Sequence, residues 1–448
     1  MPNSKVCVIG AGVSGIVAAK TLHERGVPFD CFEKGSGIGG LWRYNNDNNH
    51  SAAYRSLHIN TSRKRTEFPD FHMPRHYPDF PHHALMLEYF ENYVDHFGFR
   101  EAITFQATVL AVRTLGPEHY AVTWQDRQGQ KHTDHYRAVV VANGHHWSPR
   151  HPEFPGRLDA EVMHAHDYRT PDAMHGKRVL VVGIGNSGCD IACEVSRVAS
   201  QVFLSTRRGA HIIPKYLFGK PLDRFCPPFV WKHAPHWLFK RIFAAALRIA
   251  RGRQARFGLP SPSHAILEEH PTISSDLLNL VGHGRVAIKP NVASLEGRDV
   301  RFDDGSREAI DLMITATGYN IVFPFLDADI IDPVENDVSL YKRIAHPDHA
   351  GLYFIGLIQP WGSIMQLVHY QAQWIADVLV GATALPGREA MRREIARRGA
   401  KMRKRYTHSA RHTIQVDFYE YIDALKREHR VKGREMYEEH VLPRRKAA

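Results

Sequence analysis

Apolar residues in this chain gather in short unbroken runs. Val6-Cys7-Val8-Ile9, Val139-Val140-Val141, Val179-Leu180-Val181-Val182, Val202-Phe203-Leu204, Val286-Ala287-Ile288 and Leu312-Met313-Ile314 each read as a strand. Two of these runs lead into the same glycine spacing and then into an apolar helical pattern. The first is Gly10-Ala11-Gly12-Val13-Ser14-Gly15 and the second is Gly183-Ile184-Gly185-Asn186-Ser187-Gly188. In such a turn the first glycine lets the strand bend sharply into a helix. The second lets the backbone approach a pyrophosphate, and the third lets helix and strand pack closely. The helix N-terminus then stabilises the phosphate charge. Two such turns predict two dinucleotides held at once, with electrons passing between them.

The residue eighteen positions past the third glycine distinguishes the two sites. From Gly15 that step reaches Glu33, at the end of the run Phe29-Asp30-Cys31-Phe32. An acid there accepts hydrogen bonds from a ribose diol and repels a 2′-phosphate. From Gly188 the same step reaches Thr206, followed by Arg207 and Arg208. A hydroxyl and two guanidinium groups suit a 2′-phosphate, although a solvated charge pair is the simpler reading of the arginines. The first site is thus expected to take FAD or NAD, and the second NADPH.

A repeat on the scale of a domain supports this pairing. Gly10 is followed 134 residues later by Gly144, in Ala142-Asn143-Gly144, and Gly183 is followed 135 residues later by Gly318, in Ala316-Thr317-Gly318. Pro149, Pro152 and Pro155, with Gly156, interrupt structure after the first unit. The predicted fold is α/β, with two Rossmann-like dinucleotide-binding domains and the NADPH domain inserted into the FAD domain. Residues 1–150 form the first part of the FAD domain. Residues 151–317 form the NADPH domain, with an insertion at 216–290, and 318–448 return to the FAD domain and end in C-terminal helices.

Two segments break the regular pattern. Residues 62–83, rich in Pro, His and aromatics, read as a packed irregular loop. His72 and His76 are separated by Pro74, which argues against a helical metal pair, and no metal is expected. Within the insertion, Trp237 to Arg251 has helical spacing, with Leu238, Ile242, Ala246 and Ile249 on one face and Arg241 and Arg248 elsewhere. Peripheral contact with an anionic membrane, packing on its own domain, and shaping a substrate tunnel all remain open for it.

Composition narrows the picture. The 448 residues carry a formal charge of +11. That balance fits two anionic cofactors, and no zinc-finger or RNP-type pattern accompanies it, so nucleic acid is not expected. Five scattered cysteines do not make a disulfide framework. Cys189 and Cys193, one helical turn apart, read as packing residues. The first strand begins at Val6, leaving no room for a signal peptide, and no apolar run reaches the roughly 18 residues of a membrane span. A cytoplasmic location is expected, with a homodimer among the open assemblies.

Taken together, the ordered motifs resemble the class B flavin-dependent monooxygenases, and within them the flavin-containing monooxygenases. They run from Gly10–Gly15 through Glu33-Lys34, Gly39-Gly40-Leu41-Trp42, Asn60-Thr61-Ser62 and Phe154-Pro155-Gly156 to His164-Ala165-His166-Asp167-Tyr168. The series continues with Gly183–Gly188, Cys189-Asp190, Ser205-Thr206-Arg207-Arg208-Gly209, His270-Pro271-Thr272, Ala316-Thr317-Gly318-Tyr319, Gln359-Pro360 and Arg411-His412-Thr413-Ile414-Gln415-Val416-Asp417. The family's identifying pattern falls on Leu158, Ala160, His164 and Tyr168. The first two depart from its Phe and Gly, and Tyr168 matches the type that oxygenates nitrogen and sulfur. Gln366 is a further departure, standing where many animal members have proline.

The resemblance implies an N,N-dimethylaniline monooxygenase-like enzyme that uses FAD, NADPH and O2 on a small amine or thioether. Reduced flavin would form a C4a-hydroperoxide that NADP+ helps to protect. Asn60 is the implied catalytic residue, because its amide offers donors and an acceptor to the hydroperoxide or the nicotinamide. Around the first cofactor the resemblance implies Gly10, Gly12, Val13, Ser14, Gly15, Glu33, Lys34, Gly40, Leu41, Trp42, Thr61 and Gln359. Val109 lies over the adenine or is an ordinary core valine. Around the second cofactor it implies Tyr168, Gly183, Gly185, Asn186, Ser187, Gly188, Asp190, Thr206, Arg207 and Arg208. Asp190 has the alternative reading of a first-turn acid. A Baeyer–Villiger enzyme acting on ketones, an NADPH–disulfide reductase and a non-enzymatic NADPH-binding protein are the competing readings. The chain has no CxxC to serve the reductase.

Overall fold

The computed structural model describes residues 5–225, 236–266, 268–269, 271–405 and 413–428. The chain divides into two units. One comprises the residues up to Ser51, Arg63–Ser148 and the chain from Asn320 onward; the other comprises Ala52–Ser62 and Pro149–Tyr319. The short Ala52–Ser62 segment, which the sequence reading keeps with the first 150 residues, therefore groups with the second unit.

The first unit is built on a parallel sheet in the order Leu352–Phe354, Ala138–Val141, Val6–Ile9, Phe29–Glu33, Ile103–Phe105. Val6–Ile9 and Ala138–Val141 are buried at every position, which is why they appear in the sequence as uninterrupted apolar runs rather than alternating ones. The glycine turn feeds the helix Val13–Glu24, which packs against Ile364–Leu379. The late strand and that helix bring the C-terminal part of the chain back to the unit that opens it. Three antiparallel strands, Thr108–Gly116, His119–Gln125 and Lys131–Tyr136, intervene before the strand Ala138–Val141.

Residues 62–83 contain one helical turn, Arg63–Thr66, and are otherwise irregular until the helix that starts at His83. Phe68 is fully buried and stacks on Tyr89 of the helix His83–Phe97, with ring centroids 5.5 Å apart. The buried Lys20 ties the segment to the nucleotide helix through Asp70 at 2.5 Å, and Lys20 also pairs with Glu24 at 2.6 Å.

The second unit repeats the plan with the sheet order Glu161–His164, Leu312–Thr315, Arg178–Val182, Gln201–Ser205, Val286–Lys289. Its glycine turn opens the helix Asn186–Val195, in which Cys189 and Cys193 are buried. The helix His236–Arg251 lies in the insertion, and the apolar residues that share a face by spacing divide in their burial. Phe243, Ala246 and Leu247 pack on the core with Ile213, Ile266 and Ile273, whereas Leu238, Ile242 and Ile249 are exposed beside Trp237. Ala246 faces inward because the large side chains on either side of it, Phe243 and Leu247, define the buried face.

Candidate cofactor sites in the two units

Gly10 has a φ of 101°, and a Cβ there would lie 2.7 Å from the Ala142 carbonyl oxygen. Gly183 repeats this with a φ of 116° and 2.5 Å to the Ala316 carbonyl oxygen. The A-x-G echo in the sequence thus has a physical origin. In both units the chain leaving the neighbouring parallel strand runs directly beside the first glycine of the turn, and a side chain would block that approach. Gly12 differs from its neighbours. A Cβ on it would meet just the Gly40 Cα, at 3.7 Å, so the space it borders is open. Neither nucleotide helix has a side-chain cap or an acid in its first turn. Both N-termini thus leave backbone N–H donors and positive dipole ends available to an anion.

At the end of Phe29–Glu33, the Glu33 carboxylate is buried. Its Oε2 accepts from Ala11 N at 2.7 Å, and its Oε1 accepts from Gly35 N at 2.7 Å and Asn48 Nδ2 at 3.0 Å. Three donors on a carboxylate with about four acceptor positions leave room for a ribose hydroxyl. Asn48 comes from the loop at 45–49, which none of the sequence motifs marks. Asn46 Nδ2 donates to the Gly40 carbonyl, and Ser51 Oγ donates to the Leu41 carbonyl. The run Asn45-Asn46-Asp47-Asn48-Asn49 was the available signal, since asparagines concentrate where side chains must bridge irregular backbone.

The remaining first-unit candidates spread out from this turn. Val13, Ser14, Gly40, Leu41 and Trp42 are half-buried around it, and Lys34 is exposed just past Glu33. Gly356 closes in on Ser14, since a Cβ on Gly356 would meet Ser14 Oγ at 2.0 Å. Val109 is partly buried against the core of the unit. Gln359 lies in a two-residue strand paired with Gln415–Val416, its N–H on the Ile414 carbonyl at 2.8 Å.

In the second unit Arg207 and Arg208 are exposed at the end of Gln201–Ser205, while Thr206 is buried and donates through Oγ1 to the Arg208 carbonyl at 2.5 Å. Thr206 therefore shapes the turn that presents the guanidinium groups. Asn186 braces the glycine turn, its Oδ1 accepting from Ile273 N at 2.8 Å, and Thr272 Oγ1 donates to the Ile184 carbonyl at 2.7 Å. Ser187 is exposed in the first helical turn.

Tyr168 and Asp190 have structural surroundings. Tyr168 is completely buried, and its hydroxyl donates to Glu194 Oε2 at 2.8 Å. Asp190 is in the second turn of its helix and not the first, so the first-turn reading is corrected. Its Oδ2 accepts from the Tyr54 hydroxyl at 2.7 Å, and Ser56 Oγ donates to Glu194 Oε2 at 2.8 Å. Burial raises the Asp190 carboxyl to about 6, against the opposing pull of the Tyr54 hydroxyl and Lys215. Burial likewise lowers Lys215, with Asp190 opposing.

These bonds fasten Ala52–Ser62 to the nucleotide helix, and that segment carries Asn60 and Thr61. Among the described residues, the Asn60 Oδ1 is buried without a hydrogen-bond partner. An acceptor left in that state is costly unless a ligand or water donates to it.

Comparison with known proteins is consistent with this arrangement. Residues 3–437 match the family described as flavin-binding monooxygenase-like. Flavin-containing monooxygenase 5 of Rattus norvegicus is 39% identical over 447 residues, covering 95% of this chain and 82% of its own length. The structure of S-allyl-L-cysteine S-oxygenase from Allium sativum superposes with a TM-score of 0.73 at 25% identity, covering 98% of this chain and 92% of that one. A closed cyclohexanone monooxygenase shares the fold, with a TM-score of 0.71 at 17% identity over 94% of this chain and 96% of that one. Two glycine cradles on two parallel sheets, matched over nearly the whole chain, place this protein in the flavin-binding monooxygenase-like family.

Proposed function

We propose that this flavin monooxygenase oxygenates a soft nucleophilic nitrogen or sulfur of a small molecule, using FAD, NADPH and O2. FAD belongs to the Glu33 unit and NADPH to the Arg207–Arg208 unit. The observation that carries the assignment is the contrast between the two strand ends. A buried, triply hydrogen-bonded carboxylate at Glu33 suits a ribose diol, and the exposed Arg207 and Arg208 suit a 2′-phosphate.

Bound FAD supplies the redox chemistry through which electrons from NADPH activate O2. The chain's own residues bind, orient and shield. Gly12 leaves space for a diphosphate at the helix N-terminus. Asn60, carried by the same unit as Arg207, offers both donors and an acceptor to the carboxamide of the nicotinamide. Its unpartnered Oδ1 supports that role. By holding a nucleotide there, Asn60 would help to exclude water from the reacting centre. No protein nucleophile is required.

Sulfur chemistry in the garlic relative supports the thioether reading, and the cyclohexanone enzymes, at 17% identity, share the fold alone. The decisive experiment is NADPH consumption with product identification across amines, sulfides and ketones. N-oxides or S-oxides are expected; efficient lactone or ester formation with no S-oxide overturns the proposal.

The same reading includes a surface role for the insertion helix. Trp237, Leu238, Ile242 and Ile249 are exposed alongside Arg241 and Arg248, a combination that fits an anionic lipid surface. No helix among the described residues is long and apolar enough to cross a membrane. Co-sedimentation with vesicles containing phosphatidylserine is expected, and Ile249→Glu should abolish it; equal recovery with neutral vesicles counts against it. Cys7, Cys31, Cys189 and Cys193 are buried thiols, which a reducing, cytoplasmic setting suits.

A further inference from the structure

The Asn60 turn is gripped from both sides by the start of the insertion. Lys215 Nζ donates to the Ile59 carbonyl at 3.2 Å, immediately before Asn60, and Asp223 Oδ2 accepts from Ser62 N at 2.6 Å, two residues after it. Both residues come from the stretch between the arginine turn and the helix His236–Arg251, where Lys215 precedes the short hairpin Tyr216–Leu217 and Lys220–Pro221. Leu222 N returns to the Lys215 carbonyl at 2.9 Å, so the two grips are joined by their own closed loop.

The grip differs in kind from the anchors upstream. Tyr54 and Ser56 fasten the segment through their own side chains, to Asp190 and Glu194 of the nucleotide helix. At residues 59–62 it is the backbone that is held, and by charged groups. Charge-assisted bonds of this kind are about twice as strong as neutral ones. Holding Ile59 by its C=O and Ser62 by its N–H fixes the peptide planes on either side of Asn60-Thr61. The position of the Asn60 amide then follows from the backbone and needs no side-chain partner of its own. This accounts for a buried Oδ1 left without a partner while the backbone on either side of it is held. Ser62 Oγ and Asp223 Oδ1 are likewise buried without partners among the described residues. Acceptor capacity is thus concentrated at this turn, as a site for a donating amide requires.

We propose that Lys215 and Asp223 are positioning residues that hold the Asn60 turn ready for the nicotinamide carboxamide. The inference rests on the Asn60 reading given above. It assigns the insertion a part in coupling NADPH oxidation to oxygen transfer, in addition to any contact with substrate.

The test uses the FAD-loaded full chain and four variants: Asp223→Ala, Asp223→Asn, Asn60→Ala and the double variant Asn60→Ala/Asp223→Ala. Two quantities are read: hydrogen–deuterium exchange of peptides covering residues 56–66, and the fraction of NADPH electrons recovered as hydrogen peroxide with a thioether present. Asp223→Ala should raise exchange at the Ser62 amide at least tenfold and the peroxide fraction at least threefold, with FAD content unchanged. Asp223→Asn retains an acceptor for Ser62 N and should recover most of both. The double variant should leak no more peroxide than Asn60→Ala alone, because a group acting through Asn60 has nothing left to position. Leakage that adds in the double variant, or faster Ser62 exchange with no change in leakage, overturns the positioning inference. An Asn60→Ala enzyme that couples as tightly as the parent overturns the Asn60 reading instead, so the two failures are distinct. Lys215→Met against Lys215→Arg repeats the comparison from the other side of the turn. Impaired coupling restored by arginine is expected, and coupling unchanged in Lys215→Met counts against the inference.

Discussion

The carbonyl oxygen of Gly10 lies 1.7 Å from where a Cβ on Gly15 would stand, and Gly183 and Gly188 repeat the relationship at 2.0 Å. The third glycine of each turn is therefore required by helix-on-strand packing with or without a ligand. The second glycine of the first turn has no such constraint, since the nearest atom to a Cβ on Gly12 is 3.7 Å away. The two substitutions should separate fold from binding. Gly15→Ala forces backbone apart and is expected to cost on the order of 1–3 kcal/mol or more, seen as a lowered Tm of the apoprotein. Gly12→Ala should leave the apoprotein Tm within about 2 °C and lower FAD retention at least tenfold. Equal Tm loss in both variants would contradict the cradle assignment.

Much of this was legible in the sequence because parallel strands buried on both faces have a composition of their own. Val6–Ile9 and Leu312–Thr315 could be read almost to the residue for that reason. Glu33 was legible because the strand-turn-helix-strand path fixes its distance from Gly15. The attachment of Ala52–Ser62 to the second unit was not. It depends on Tyr54 meeting Asp190 and Ser56 meeting Glu194, partners 136 and 138 positions away in the chain. A single tyrosine or serine in an irregular stretch carries no periodic mark of such a bond. Which face of His236–Arg251 is buried was not legible for a related reason. Leucine and isoleucine usually identify the buried face, and here the packing of Phe243 and Leu247 decides it.

The arginine turn predicts nucleotide preference. Arg207 and Arg208 are exposed, and the Thr206 hydroxyl is committed to the Arg208 carbonyl. Arg207→Ala/Arg208→Ala should reduce the ratio of kcat/KM for NADPH to that for NADH by about 100-fold, corresponding to roughly 1.4 kcal/mol per arginine. Turnover with NADH should change less than threefold. Thr206→Val should shift the turn and reduce the same ratio by a smaller factor. An unchanged ratio in the double variant rules out the 2′-phosphate assignment.

Lys20 supplies a stability prediction remote from either nucleotide. Its ammonium is buried in the first nucleotide helix, paired with Asp70 and Glu24, and lies 4.4 Å from the centre of the Phe97 ring. Asp70 also lies 3.5 Å from His369 Nδ1. Asp70→Asn removes one of two carboxylates from a buried cation and should lower the unfolding free energy by about 2 kcal/mol. Replacing Lys20 by Met together with Asp70→Asn should recover part of that loss, since no buried charge is then left short of a partner. Urea unfolding of the parent and the two variants measures both. A double variant less stable than Asp70→Asn alone would show the pair to be worth more than its desolvation.

The pH dependence of stability should carry the signature of His164. Its ring is buried at the end of Glu161–His164, with His151 centred 5.6 Å away and Tyr319 at 5.3 Å, and its Nδ1 accepts from His166 N at 3.0 Å. Burial, with the neighbouring His151 and His166 charges adding to it, lowers the imidazole to about 4. An unfolded histidine takes up its proton near 6.5, so between these values the unfolded chain binds more protons than the folded one. Stability is then full above about pH 6.5 and falls as pH is lowered toward 4. Between pH 7 and pH 5 the loss attributable to this group is on the order of 1–2 kcal/mol. His164→Gln keeps an acceptor for the His166 N–H and cannot take the proton. Its urea midpoint should therefore fall less than the parent's over that interval, even if it begins lower at pH 7. Parallel pH profiles for the two proteins would mean that the His164 ring titrates alike in the folded and unfolded chains.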